Sequence, residues 1–93
     1  MAEKTFDLEI LTPSRTVFTG PVASLVAPGA LGYLGVLANH APLVTTLAPG
    51  RIVYRNPQGH ATTLQSTGSG LLEVFRNRVT LLADEIAGAG REA

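Results

Sequence analysis

Apolar and polar residues alternate along most of this chain with a period of two. Phe6, Leu8 and Ile10 fall on one side of an extended segment, and Asp7 and Glu9 fall on the other. Leu72 and Val74 oppose Glu73 and Phe75, and Ile52 and Tyr54 oppose Val53 and Arg55. Near the C-terminus Val79, Leu81 and Ala83 oppose Thr80 and Asp84. Helical periodicity is nearly absent. Turn-forming residues separate the runs, in TPS at 12–14, TGP at 19–21, APGALG at 27–32, APG at 48–50, NPQG at 56–59, TGSG at 67–70 and RNR at 76–78. Short alternating strands broken by such signals predict an all-β fold, a two-sheet sandwich or flattened barrel of about nine to ten strands.

Two hairpins follow from local chemistry. NPQG links RIVYR to HATTLQ, so residues 51–66 read as one hairpin. FRNRVTLLAD reads as another, with Asn77 tolerating the positive φ of a tight turn. DEIA at 84–87 has the form of a single helical turn capped by Asp84, with nothing downstream to continue it. AGAGREA at 87–93 carries no apolar repeat and should fray, which sets residues 1–87 as the domain and 88–93 as a flexible tail.

Composition narrows the function. The 93 residues are 45% hydrophobic and 15% charged, a globular balance that fits one domain. Seven basic and seven acidic residues cancel, and the basic ones are dispersed, so the electrostatic footprint of a nucleic-acid binder is missing. No apolar run is long enough for a membrane-spanning helix, and the N-terminus lacks signal-peptide order. Without cysteine there is no disulfide and no thiolate metal site.

Catalytic patterns fail in turn. Ser69 has Thr67 and Leu71 where a G-x-S-x-G nucleophile needs glycine. GSGLLE at 68–73 starts like a dinucleotide loop but ends in Glu73, outside any βαβ unit. His60 follows a turn, twenty residues from His40, and the carboxylates fall on polar strand faces or strand ends. The residues point to no catalytic centre, no metal site and no cofactor.

GYLGVLANHAPLV at 32–44 stands apart, because two glycines interrupt an apolar run and His40 sits alone beside a proline. Glycine inside a strand marks a bulge, a bend or a close backbone approach. Two readings stay open for Tyr33: presentation at a loop or edge, or packing back on the sandwich. Two also stay open for His40: a contact residue, or a ring that bonds a neighbouring carbonyl and locks the turn before Pro42.

The stretch resembles the epsilon-subunit family of the F-type ATP synthase, called delta in mitochondria. The resemblance rests on Gly32-Tyr33-Leu34-Gly35, His40-Ala41-Pro42-Leu43 and Ala48-Pro49-Gly50, taken in order. FDLEILTPSRTVFTG at 6–20, VASLVAPGALG at 22–32 and TGSGLLEVFRNRVTLLAD at 67–84 extend it over residues 5–85. Ala38-Asn39 replaces the family's usual proline-glycine, which predicts a positive φ at Asn39. Gly68-Ser69-Gly70 splits a usual tandem glycine, and a bulge is expected there.

The resemblance implies a non-catalytic rotor subunit that links the gamma subunit to the c-ring and couples proton flow to ATP synthesis. It implies contact with these partners through Gly32, Tyr33, Leu34, Gly35, His40, Ala41, Pro42 and Leu43, with the Gly32–Gly35 turn facing the c-ring. It also implies a peripheral place at the cytoplasmic face of a bacterial plasma membrane, reached only through the c-ring. Most members of the family this chain resembles continue into a helical hairpin that can block ATP hydrolysis and in some members binds ATP. The chain ends in GAGREA, as a natural short form or as part of a longer protein, and ATP binding is not expected of it. The competing reading is a free-standing β-sandwich that binds a small ligand or peptide.

Overall fold

A computed structural model describes residues 4–88 and places ten strands and no helix among them. The strands are β1 (Phe6–Thr12), β2 (Arg15–Val22), β3 (Ser24–Gly29), β4 (Gly32–Leu37) and β5 (Leu43–Leu47). They continue as β6 (Gly50–Arg55), β7 (Ala61–Ser66), β8 (Gly70–Phe75), β9 (Arg78–Ala83) and β10 (Ile86–Ala87).

Pairing runs β10-β7-β6-β3-β5-β8-β9-β1-β2, with β4 on the far side of β3. The path bends at one point. β3 pairs with β6 over Ser24 to Val26, then meets β5 only at Gly29↔Leu47. Two bonds hold this bridge, Ala30 N to Thr46 O at 3.0 Å and Ala48 N to Pro28 O at 2.8 Å. Either side of it lie two layers: a first sheet β4-β3-β6-β7-β10 and a second sheet β5-β8-β9-β1-β2. The passage through the bridge explains why Ala27, Pro28 and Gly29 are buried in succession rather than alternately.

Each layer buries its alternate residues against the other. Leu25, Ile52, Tyr54 and Leu64 come from the first sheet, and Phe6, Leu8, Ile10, Leu72 and Leu81 from the second, all at most 2% exposed. Phe18 of β2 crosses to Tyr54 of β6 with ring centroids 4.4 Å apart. Its reach depends on a bulge: Ile10 faces Phe18 but Leu11 faces Thr16, so Val17 is an extra residue that bends β2 over the core. β1 and β9 pair in parallel, tying the first strand to the ninth.

The predicted hairpins form. β6 and β7 join through Asn56, whose Oδ1 accepts from the amides of Gln58 at 3.0 Å and His60 at 2.9 Å. β8 and β9 turn on Arg76 (φ 51°) and Asn77 (φ 61°), the pair of positive values a two-residue primed turn requires. Asn39 has φ 64°, as expected for a residue standing in for glycine.

Four expectations need correction. Gly32–Gly35 is not a turn: the reversal occurs one step earlier at Ala30-Leu31, and Gly32 to Leu37 pairs residue by residue with Gly29 to Ser24. DEIA forms no helical turn. The Asp84 amide donates to Ser69 O at 3.0 Å and the Thr67 amide to Glu85 O at 3.1 Å, which holds the chain extended until Ile86 and Ala87 pair with Ser66 and Gln65. Ala87, expected to fray, is therefore part of a strand, while residues 89–93 of that tail lie outside the described residues. The glycine cluster hides no bulge, since β8 and β9 pair in unbroken register from Gly70↔Ala83 to Phe75↔Arg78. Glycine is needed at 70 because a Cβ there would run into the backbone carbonyl of Leu82.

Gly70→Ala is accordingly expected to destabilise the domain by about 2 kcal/mol or more, since β9 backbone must move. Gly35→Ala, whose Cβ would meet nothing nearer than Leu25 O at 4.0 Å, should change stability by less than about 1 kcal/mol. At Asn39 the substitution to Gly should be near neutral, and to Val should cost about 1–2 kcal/mol, because a β-branched residue resists positive φ. Urea melts of the four variants check all of these.

Candidate partner interface

The residues that the sequence grouped as one contact segment lie at opposite ends of the sandwich. β4 is extended from Gly32 to Leu37, which at strand rise separates its ends by about 17 Å. Gly32 and Tyr33 lie at the end that holds the β3–β4 turn, Ala48, Pro49 and Gly50. His40 to Leu43 lie at the other end, beside the β8–β9 turn.

At the first end Tyr33 is 58% exposed, yet it is anchored. Its hydroxyl accepts from the Arg51 backbone amide at 2.9 Å. A side chain on Gly50 would meet that hydroxyl at 2.8 Å and the Pro28 Cβ at 2.9 Å, so Gly50 is the small residue that lets the phenol lie across Pro28. Both readings of Tyr33 thus hold in part: the ring stands at a sheet edge and the hydroxyl is bonded back to β6. Leu31, in the adjoining turn, is fully exposed. Leu34 points the other way and packs on the core beside Gly29.

At the opposite end His40 Nδ1 lies 2.7 Å from Ala41 O, so the ring donates to the next carbonyl and stiffens the chain entering Pro42. Asn77 fixes the position of this loop. Its Oδ1 accepts from the Asn39 amide at 2.7 Å, and its Nδ2 donates to Thr5 O at 3.0 Å. The backbone carbonyl of Asn77 accepts from the Asp7 amide at 3.2 Å. One side chain in a positive-φ turn therefore ties together the β4–β5 loop, the β8–β9 turn and the N-terminal approach to β1. His40 is half-buried, Ala41 and Pro42 are exposed, and Leu43 packs partly against the core. Arg76, an exposed arginine of this end, lies 5.2 Å from the ring centre of exposed Phe75.

Sequence reasoning missed a third surface. On the outward face of the second sheet Leu71 pairs with Leu82, and Leu82 with Leu11, making an apolar row across β8, β9 and β1. Leu71 is 39% and Leu82 42% exposed, and a groove of about 560 Å³ opens between this row and the β1–β2 turn at Pro13. Two Leu-Leu doublets, 71–72 and 81–82, carried the signal, because an alternating strand can bury only one member of each. An exposed apolar row of this kind on a sheet face is typical of a surface that meets a partner.

Comparison with known proteins agrees with this geometry. Residues 5–89 match the family model described as ATP synthase, Delta/Epsilon chain, beta-sandwich domain. The ATP synthase epsilon chain of Pelotomaculum thermopropionicum is 50% identical over 84 residues, covering 90% of this chain and 61% of the relative. That of Dichelobacter nodosus is 40% identical over 84 residues, covering 90% and 58%. The chain thus spans about three-fifths of the length of these relatives. In fold it is similar to a chain of the Euglena gracilis mitochondrial ATP synthase in an OSCP/F1/c-ring structure, with TM-score 0.84, 22% identity, and coverage of 94% of this chain and 55% of that one. A chain of the Tetrahymena thermophila mitochondrial ATP synthase central stalk and c-ring has TM-score 0.75 and 13% identity, with coverage of 92% and 68%. With 85 consecutive residues (5 to 89) matched and half of the aligned positions identical to a curated relative, this chain belongs to the ATP synthase delta/epsilon-chain β-sandwich domain family.

Proposed function

We propose that the domain is a non-catalytic part of the central stalk of an F-type ATP synthase, linking the gamma subunit to the c-ring. The family match over residues 5–89 carries this reading. The geometry supports it: the molecule presents two separate, firmly held ends joined by rigid sheets, an arrangement suited to a part that must pass torque between two partners. Its principal axes of 39 × 29 × 22 Å make it an elongated block rather than a sphere. No residue of Gly32–Gly35 or His40–Leu43 is acidic or basic apart from the imidazole, so little charge has to be desolvated on docking.

In this proposal the Gly32, Tyr33 and Gly35 end meets the c-ring, and His40, Ala41 and Pro42 meet gamma. Leu34 and Leu43 hold the two ends to the core from beneath. Attachment to the membrane is peripheral, through the c-ring at the cytoplasmic face of a bacterial plasma membrane; among the described residues no helix is long and apolar enough to cross one. The reading as a free-standing ligand-binding sandwich is not favoured by membership of this family.

Tyr33→Ala or His40→Ala is expected to weaken assembly with purified gamma and c-ring by about 1–3 kcal/mol while leaving the isolated domain folded. Leu8→Ala should do the reverse and lower stability by about 2–5 kcal/mol, since Leu8 is 1% exposed in the core. A thermal melt of each variant and a binding assay with both partners read the two effects separately. If the Tyr33 and His40 variants both bind like the unaltered chain, these residues are not the docking surface and the apolar row of Leu11, Leu71 and Leu82 takes their place.

A further inference from the structure

Charge is divided between the two outward faces. The second sheet carries Asp7, Glu9 and Glu73 together with Arg15 and Arg78, and Asp7 and Arg78 lie 3.9 Å apart. The strands of the first sheet, β3, β4, β6, β7 and β10, contain no carboxylate at all. Their only charges are Arg51 and Arg55, both exposed and both on the outward face of β6. Among the described residues the Arg51 guanidinium has no hydrogen bond or ion pair. Arg55 gives one N–H to Gly59 O at 3.1 Å, which holds it upright at the hairpin end with its remaining donors free.

The relief between these arginines is set by register. Gly35, Val26, Val53 and Thr63 form one row across β4, β3, β6 and β7. None of them is larger than valine, and Gly35 has no side chain. The flanking rows are taller: Leu37, Ser24 and Arg55 on one side, and Tyr33 with Arg51 on the other. The result is a trough of about 380 Å³ with an apolar floor of Val26 and Val53. Its arginines stand four strand residues apart, about 13 Å, one on each side of the floor. The Tyr33 wall is fixed, because its hydroxyl is bonded to the Arg51 amide.

We propose that this face of the first sheet docks an acidic amphipathic helix of a partner protein, its aliphatic row on Val26 and Val53 and its flanking carboxylates on Arg51 and Arg55. A helix about 10–12 Å across fits between walls of this spacing, and the low row from Gly35 to Thr63 that contains the trough crosses four strands, about 15 Å or nearly three helical turns. Two guanidiniums on opposite sides of an apolar strip match carboxylates on opposite flanks of one aliphatic helix face, and the absence of competing carboxylates on this sheet leaves both available. An anionic membrane would share the chemistry, but surface attachment to lipid relies on larger clusters of basic residues than two. The site shares the Tyr33 wall and Gly35 with the end assigned above to the c-ring, and its test, made on the isolated chain, does not depend on that assignment.

The test uses a labelled peptide of about 18 residues with leucines on one face, bracketed by glutamates, and its lysine counterpart. Fluorescence anisotropy with the isolated chain should give micromolar binding of the glutamate peptide, weakening with salt, and at least tenfold weaker binding of the lysine peptide. Arg51→Gln with Arg55→Gln should raise the dissociation constant at least tenfold, whereas Arg15→Gln with Arg78→Gln should leave it unchanged. Amide shifts on binding should fall on residues 24–26 and 51–55. Equal binding of the two peptides, no binding of either, an unaffected Arg51/Arg55 double variant, or attachment to phosphatidylserine vesicles in place of the peptide would overturn the proposal.

Discussion

The bridge between Gly29 and Leu47 decides the shape of this molecule. It is the point at which the two sheets are joined through the strand path. Because β3 leaves β6 after Val26 and joins β5 at Gly29, that path folds on itself and the two apolar sides close. Gly29 is buried at the crossing, with the Leu34 side chain where its own Cβ would be. The same crossing sends β4 back along β3 as an edge strand and β5 away along β8. It therefore sets which end of the sandwich receives Tyr33 and which receives His40.

Much of this was legible in the residues. Strand alternation identified the inward side of β1, β6, β8 and β9 correctly, since a period of two leaves no freedom once one face is buried. Asn77 was readable as a positive-φ position from its turn, and Asn39 from the resemblance, in which it stands where the family has glycine. The pairing order was not legible: β1 joins β9 in parallel, about seventy residues away, and no local pattern encodes such a contact. Gly32 and Gly35 misled in a specific way. Glycine signals both turns and tight spaces, and here one follows a turn while the other lies mid-strand with open space above it. Asp84 misled because a cap signal lies in its side chain, whereas the structure uses its backbone amide, which any residue but proline would supply, to donate to the Ser69 carbonyl.

The candidate site was legible as residue types and not as a place. Tyr33 and His40 are seven residues apart, which reads as one loop until β4 is known to be extended. The apolar row of Leu11, Leu71 and Leu82 and the carboxylate-free face of the first sheet are properties of neighbouring strands, and arise only once register is known. Asn77 joins both kinds of information: its φ is local, while its bonds to Asn39 and Thr5 bring together segments that are far apart in sequence. The outcome is a block whose two ends and two faces each have a distinct chemical character.

If the two ends serve different partners, site-directed cross-linking will tell them apart. The chain has no cysteine, so one introduced thiol is unique. Tyr33→Cys and His40→Cys, each carrying a benzophenone maleimide, would be assembled with gamma and the c-ring, irradiated, and the adducts identified by mass. The label at 33 is expected to capture the c-ring subunit and the label at 40 to capture gamma. Capture of one and the same partner from both positions, or of neither from either, would contradict this assignment.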